Sequence, residues 1–297
     1  MPNNLISRVI HSRRVQKAAL DSGALEELAR PYVAGIFAST ALERAELMRS
    51  RGLEVSFAYL PQRGSELESP AAYRELLENL ADKGIPAELS IKPSQLGLRE
   101  SERLAHATLR ELAGEAEQAG SHITLEMQGF KQYYETLELW RRVRDDHPSL
   151  GVTLPVDLRR VESDLRQLSD RPRVRLCIGS YPLPRGLGIT REHDKSRALV
   201  RCLRFAVESE ATALLASHDP RIIAIMQELG RRNPLSDFEF QMFLGVRPLE
   251  QRRLADVGYR SRVLLPYGPG WYEYLLTRVA SRPQTAYGYL RAVFDKR

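Results

Sequence analysis

The chain of 297 residues has only two cysteines, Cys177 and Cys202, and neither has a Cys-x-x-Cys partner or metal-ligand spacing. That scarcity argues against a disulfide framework and leaves buried apolar packing as the reading for both, with a reducing cytoplasm as the expected compartment. No stretch approaches the length of a membrane span, and the opening Met1-Pro2-Asn3-Asn4 meets Arg8, Arg13 and Arg14 without the apolar core of a signal peptide. No Gly-x-Gly-x-x-Gly turn follows the first strand-like run, which argues against a dinucleotide fold. The histidines His11, His106, His122, His147, His193 and His218 form no His-x-His or Glu-x-x-His cluster, so no metal centre is expected. Ser180 and Ser217 lack the flanking glycines of a nucleophile elbow. Net charge is mild, +6 from 44 Lys and Arg against 38 Asp and Glu, and arginines lie beside glutamates, as in Arg99-Glu100-Ser101-Glu102-Arg103. Such mixed charge reads as a solvated helix face, and no nucleic-acid partner is expected.

What is present is a regular alternation. Helix-period patterning covers about the first thirty residues, through Val15, Leu20, Leu25 and Leu28, and stops near Pro31, which predicts an N-terminal helical arm over 1–32. Eight short apolar runs follow, at Val55–Leu60, Ala87–Lys92, His122–Met127, Gly151–Leu154, Val174–Ile178, Ala211–Ser217, Phe238–Met242 and Arg262–Leu265. Segments long enough for a crossover helix separate them, such as Ser101–Ala119, Lys131–Asp145 and Pro220–Gly230, and a helix at Ala41–Arg51 closed by Gly52 precedes the first. Repeated βα units with short, nearly continuous apolar strands predict an all-parallel sheet covered by helices. Eight units predict an α/β fold closed as a (βα)8 TIM-like barrel over 33–297. Pro283 is read as the stop of the last helix and Gln284–Arg297 as a tail.

In such a barrel the open mouth lies at the C-terminal ends of the strands, so charged residues there are the site candidates. They are Lys92, Glu126, Arg175, His218 with Asp219, Glu239 with Gln241, and Arg278 on the last helix. Lys92, Arg175 and Arg278 together suit a ligand carrying carboxylate or phosphate, because a guanidinium fork gives such groups two charge-assisted hydrogen bonds. The structural alternative is a rim closed by ion pairs of these cations with Glu126 and Glu239.

Several segments carry a resemblance. They are Ser90-Ile-Lys92 with Gln95-Leu-Gly-Leu98, Arg175-Leu-Cys-Ile-Gly-Ser-Tyr181, Ser217-His-Asp-Pro-Arg-Ile-Ile223, Phe238-Glu-Phe-Gln241 through Gly-Val-Arg-Pro248, and Pro266-Tyr-Gly268 followed by Trp271. In this order and spacing, from about residue 30 to the end, the chain resembles the monofunctional bacterial proline dehydrogenases. The resemblance implies a distorted barrel that binds FAD non-covalently and oxidises an amino acid at the carbon beside nitrogen, with the last helix over the mouth. It puts Arg175 near flavin N5, where a positive charge stabilises the electron-rich reduced ring. By the same likeness Gly179, Tyr181, Ser217, His218, Glu239 and Gln241 line the cofactor, while Lys92 and Arg278 hold the substrate carboxylate.

The departures from the family pattern are equally specific. Thr277-Arg278 and Ser281 stand where two adjacent arginines and a glutamate are usual, Leu264 and Leu244 where tyrosines are, and Glu126 where the family has aspartate. Ile178 replaces a lysine and Pro155 a flavin-contacting glutamine. A substrate site formed by Lys92, Glu126, Leu264, Thr277, Arg278 and Ser281 is therefore expected to take a carboxylate-bearing amine or imino acid other than proline, by hydride transfer to flavin N5. The alternatives are an ordinary proline dehydrogenase and a redox-inactive binding protein. The electron acceptor is left open between oxygen and a quinone.

Overall fold

The computed structural model describes residues 29–168, 171–179, 181 and 183–281, the side chains of 278–281 excepted. Most of the expected arm (1–32), Pro283 and the tail at 284–297 lie outside the described residues. The eight expected strands are all present, as β1 (Glu54–Tyr59), β2 (Glu88–Ile91), β3 (His122–Leu125), β4 (Gly151–Pro155), β5 (Arg173–Cys177), β6 (Thr212–Ala216), β7 (Phe238–Phe243) and β8 (Ser261–Tyr267). They pair in parallel, each with its neighbour in sequence, and β8 closes on β1. The seam is long, running from Glu54 opposite Arg262 to Tyr59 opposite Tyr267, whereas β3 and β4 are paired only at Thr124 with Gly151 and Leu125 with Val152.

The helices are α1 (Ala38–Arg49), α2 (Ser69–Asp82), α3 (Glu102–Gln118), α4 (Tyr133–Arg144), α5 (Val161–Arg166), α6 (Glu192–Glu208), α7 (Pro220–Arg232), α8 (Pro248–Asp256) and α9 (Trp271–Ser281). Their starts follow local chemistry. Ser101 caps α3 by accepting the Leu104 N–H at 3.4 Å, and Asp219 caps α7 by accepting the Arg221 N–H at 2.9 Å, with Pro220 at the first helical position where no donor is required. Ile222, Ile223, Met226 and Leu229 then recur on one face of α7 and are buried against the sheet. Strand β8 runs on through Pro266 to Tyr267, beyond its expected end. The missing proline N–H costs nothing there, because β7 has already left the ladder at Leu264.

One expectation requires correction. The strands are not uniformly apolar. Their apolar residues, such as Val55 and Phe57 of β1, Leu89 and Ile91 of β2, and Val174 and Leu176 of β5, point outward into the layer shared with the helices. The alternate positions point into the barrel, and apart from apolar residues such as Leu214 and Leu264 they are largely polar: Glu88 and Ser90, Thr124, Arg173 and Arg175, Glu239 and Gln241, Arg262. The hydrophobic stabilisation, about 1.5–3 kcal/mol for each fully buried large side chain, thus comes from the outer layer, and the interior is held by charge.

The last helix starts at the β8 end of the seam. Gly270 donates to the Leu60 carbonyl at 2.8 Å, and a Cβ at Gly270 would stand 2.2 Å from the Pro61 oxygen, so only glycine allows this approach. Trp271, Tyr272 and Leu275 of α9 then pack with Leu60, Ala29 and Val33 in a small second apolar cluster. That contact holds α9 beside the C-terminal ends of β1 and β8, at the mouth.

Candidate active site

The barrel interior carries a ladder of ion pairs beneath the mouth. Glu239 accepts from Arg262 through both oxygens, at 2.7 and 3.1 Å, and from Arg173 at 3.3 Å. Glu88 accepts from Arg175, from Arg173 at 3.1 Å and from the Thr124 hydroxyl at 2.8 Å. Gln241 ties the two acids together, its amide nitrogen 2.5 Å from Glu239 and 3.3 Å from both Glu88 oxygens. Both glutamates are 0% exposed. Burial works against their charge, but for Glu88 Arg175 and Arg173, and for Glu239 Arg262 and Arg173, outweigh it. Glu88 is held well below the usual carboxylate range and Glu239 at about 2.

Arg175 is 7% exposed and sits at the middle of β5. Its Nε donates to Gln241 Oε1 at 2.5 Å, one terminal nitrogen to Ser90 Oγ at 2.7 Å, and the other to Glu88. Three of the five guanidinium N–H groups are therefore committed among the described residues. The Ser90 hydroxyl in turn donates to Glu126 Oε1 at 2.9 Å, so Arg175 and Glu126 communicate through one hydroxyl and do not pair directly. The structural alternative, a rim pairing of Arg175 with Glu126 or Glu239, is not what is found: Arg175 pairs in the interior with Glu88. Glu239 lies in the closed layer with both oxygens engaged, where it supports Gln241 from below and does not face the mouth.

At the mouth, Lys92 follows β2 and is half-buried; its backbone N–H donates to Gln95 Oε1 at 2.9 Å, and its ammonium has no hydrogen bond or ion pair among the described residues. Gln95 also reaches the Tyr59 carbonyl at 3.0 Å, which fixes the Lys92 turn to the end of β1. Glu126 stands half-buried at the end of β3. After β6, Ser217 accepts the Asp219 N–H at 3.2 Å, and His218 Nε2 accepts the Phe243 N–H at 3.1 Å, which assigns the ring proton to Nδ1. The His218 ring stacks on Phe243 at 5.4 Å between centroids.

Gly179 donates to Asp157 Oδ1 at 2.7 Å, and a Cβ there would lie 2.6 Å from the same oxygen, so a larger residue would have to displace the Asp157 carboxylate. Tyr181, 45% exposed, lies against the Gly129 turn that follows β3. Cys177 faces the interior above Arg175, and burial pushes its thiol up to about 12, which makes it a neutral packing group at ordinary pH.

The substrate-side expectations fare unevenly. Leu264 follows Arg262 by two along β8 and so faces inward. Leu244 does not: it is buried in the outer apolar layer, because it falls one residue beyond inward-facing Phe243, and it forms no part of the pocket wall. Thr277 is exposed and its hydroxyl donates back to the Glu273 carbonyl at 2.8 Å, so it is spent on its own helix. Arg278 and Ser281 are on α9, with side chains outside the described residues. Sequence reasoning missed Glu88, Arg173, Arg262 and Ser90. Their signal was the period-two alternation of charge with apolar residues, as in Glu88-Leu89-Ser90-Ile91 and Arg173-Val174-Arg175-Leu176. It also missed Asp157, for which no such pattern exists.

No protein-family model matches the chain. Individual relatives do. Proline dehydrogenase 1 of Bacillus subtilis (strain 168) is 31% identical over 275 residues, covering 90% of this chain and 91% of its own length. Proline dehydrogenase of Deinococcus radiodurans is 29% identical over 290 residues, covering 93% of each. Among solved structures, proline utilization A (PutA) from Bdellovibrio bacteriovorus, inactivated by N-propargylglycine, superposes with a TM-score of 0.78 at 19% identity, over 88% of this chain and 33% of that one. The chain thus spans about a third of that larger protein, and the likeness there is one of fold. With the Bacillus subtilis enzyme matched over nine tenths of both lengths, the chain belongs to the proline dehydrogenase family of oxidoreductases.

Proposed function

We propose that this chain is an FAD-dependent dehydrogenase that oxidises a small carboxylate-bearing imino or amino acid at the carbon beside nitrogen. The observation that carries the reading is Lys92: a half-buried ammonium at a strand end, without a partner among the described residues, placed between the turn fixed by Gln95 and the acid at Glu126. A cation left in this state at a barrel mouth suits an anionic ligand, which would complete its charge-assisted hydrogen bonds. Arg278 on α9 would contribute the second cation. Glu126 has one oxygen engaged by Ser90 and keeps the other as an acceptor for the substrate N–H.

The donor set also suits a flavin. Arg175 keeps two of its five N–H groups uncommitted among the described residues, and Gln241 fixes the plane of its guanidinium. Gln241, Gly179, Tyr181, Ser217 and His218 would line the cofactor with it. When bound, FAD supplies the hydride acceptor. Arg175 then places positive charge where electrons accumulate, in an interior where water cannot screen it. The full names of the relatives make proline the first substrate to try.

A second reading, a site reshaped for another amine, rests on Leu264, an apolar inward residue at the position where the resemblance expects a tyrosine. One experiment separates the two. Purified protein should be yellow, or become so with added FAD, and anaerobic proline should bleach the flavin band. A yellow protein bleached by another carboxylate-bearing amine but not by proline selects the second reading, and a protein that binds no FAD overturns both.

A further inference from the structure

The resemblance directs attention to the acid at the end of β3, yet in this chain Glu126 reaches Arg175 only through the Ser90 hydroxyl. The carboxylate in direct contact is Glu88, one strand away and a layer deeper. We propose that Glu88 is the positioning residue for Arg175: it fixes where the guanidinium lies and how much of its charge reaches a bound flavin. The inference rests on the reading of Arg175 given above.

Three observations carry it. Glu88 cannot move away, because Thr124 holds its Oε2 at 2.8 Å and Arg173 the same atom at 3.1 Å, which turns Oε1 toward Arg175. Glu88 is 0% exposed, so its field is weakly screened, whereas Glu126 is open to water on one side. The interior ladder is also unbalanced: within the buried layer Arg173, Arg175 and Arg262 meet Glu88 and Glu239, a net charge of +1 among these five groups, while the more exposed Glu54 reaches only Arg262, at 3.6 Å. Neutralising Glu88 doubles that excess directly beneath the mouth. His122, at 3.7 Å from Glu88 Oε2, stays neutral because burial lowers its affinity for a proton, so it does not offset the change.

The test is a comparison of Glu88→Gln with Glu126→Gln by equilibrium reduction of the bound flavin. Glu88→Gln keeps an acceptor for Arg175 but removes the charge, and the reduced flavin should be favoured at least tenfold, a rise of about 30 mV for a two-electron couple. Glu126→Gln should move the potential by less than a third of that. Equal potentials in wild type and Glu88→Gln, or a larger shift in Glu126→Gln, overturn the proposal. If Glu88→Gln does not fold, Glu88→Gln with Arg173→Gln restores the interior charge to +1, and its potential is judged against Arg173→Gln alone; no difference between those two overturns the proposal equally.

A cycle of Glu88→Gln and Arg175→Gln in urea, on flavin-free protein, reads the contact itself. Coupling there with no change of potential makes Glu88 merely structural and also overturns the proposal. Arg175→Gln, which removes the positive charge, serves as the control for the underlying reading. If it leaves the potential unchanged, Arg175 is not beside the flavin and the proposed function of Arg175 fails first; if it shifts the potential while Glu88→Gln does not, only the positioning role is lost.

Discussion

Glu239 shows how a single buried side chain is made to carry charge. Its contacts to Arg262 and Arg173 hold the carboxyl at about 2, against an ordinary glutamate value of 4.5. A carboxyl lowered in the folded state stabilises the fold above its unfolded value and loses that contribution as pH falls through the folded one, here between about 4.5 and 2. The window corresponds to on the order of 3 kcal/mol, at 1.36 kcal/mol per unit. Glu239→Gln should therefore flatten the acid limb. It should also destabilise the protein at pH 7 by roughly 3–5 kcal/mol, because buried Arg262 loses its two-oxygen partner and keeps only the more distant Glu54, at 3.6 Å. Urea unfolding at pH 7, 5 and 3 measures both effects. Parallel losses for variant and wild type would remove Glu239 from the acid transition. Arg175 follows the same logic: it spends three donors on the protein and has two uncommitted among the described residues.

The Tyr73 phenol of helix α2 joins the ends of two strands. Tyr73 accepts the Tyr59 N–H at 3.1 Å, just where β1 ends, and donates to the Ser90 carbonyl of β2 at 3.1 Å. Burial raises its pKa, so it remains a neutral donor at every working pH. The ring is fully buried, and Tyr73→Phe keeps its packing while leaving a half-buried backbone donor and a buried backbone acceptor without this partner. We expect a loss of about 1–3 kcal/mol, read as a lower urea midpoint with an unchanged slope. Since Ser90 also carries the Arg175 and Glu126 contacts, the same variant should raise the KM of the substrate. An unchanged KM with reduced stability would confine Tyr73 to the fold.

Across the whole molecule, the proposed function would divide specificity between two elements far apart in sequence from Lys92. Strand β8 presents Leu264 inward, and α9, packed on Leu60 and Val33, carries Thr277, Arg278 and Ser281 in its sequence. If the mouth is reshaped, Leu264→Tyr, Thr277→Arg and Ser281→Glu made together should raise kcat/KM for proline by about tenfold or more and depress oxidation of the preferred amine. They belong together because an Arg or a Glu introduced alone would lack its counter-charge. Wild type turning over proline at the rate of the triple variant would assign the site to proline without reshaping.

Strand number, strand order and the α/β class were legible in the residues, because each βα unit is coded locally by an apolar run and the cap or turn that follows it. The end of β7 and the starts of α7 and α9 each carry such a signal, at Gly245, Asp219 with Pro220, and Gly270. Lys92 and Glu126 were legible for the same reason, since the end of a parallel strand in a barrel lies at the mouth wherever the neighbouring strands fall. The pairing of charges was not. Glu88 and Arg175 are 87 residues apart, and Gln241 is 153 from Glu88, so their contact depends on the closure of the barrel and the depth at which each strand enters it. Leu244 fell to the wrong side for that reason: one residue along a strand reverses the face. Local sequence determined what the elements are and which residues stand at their ends; only the closed barrel decided that Arg175 answers to Glu88, because a charge buried in a shared interior takes whichever partner the other strands deliver to it.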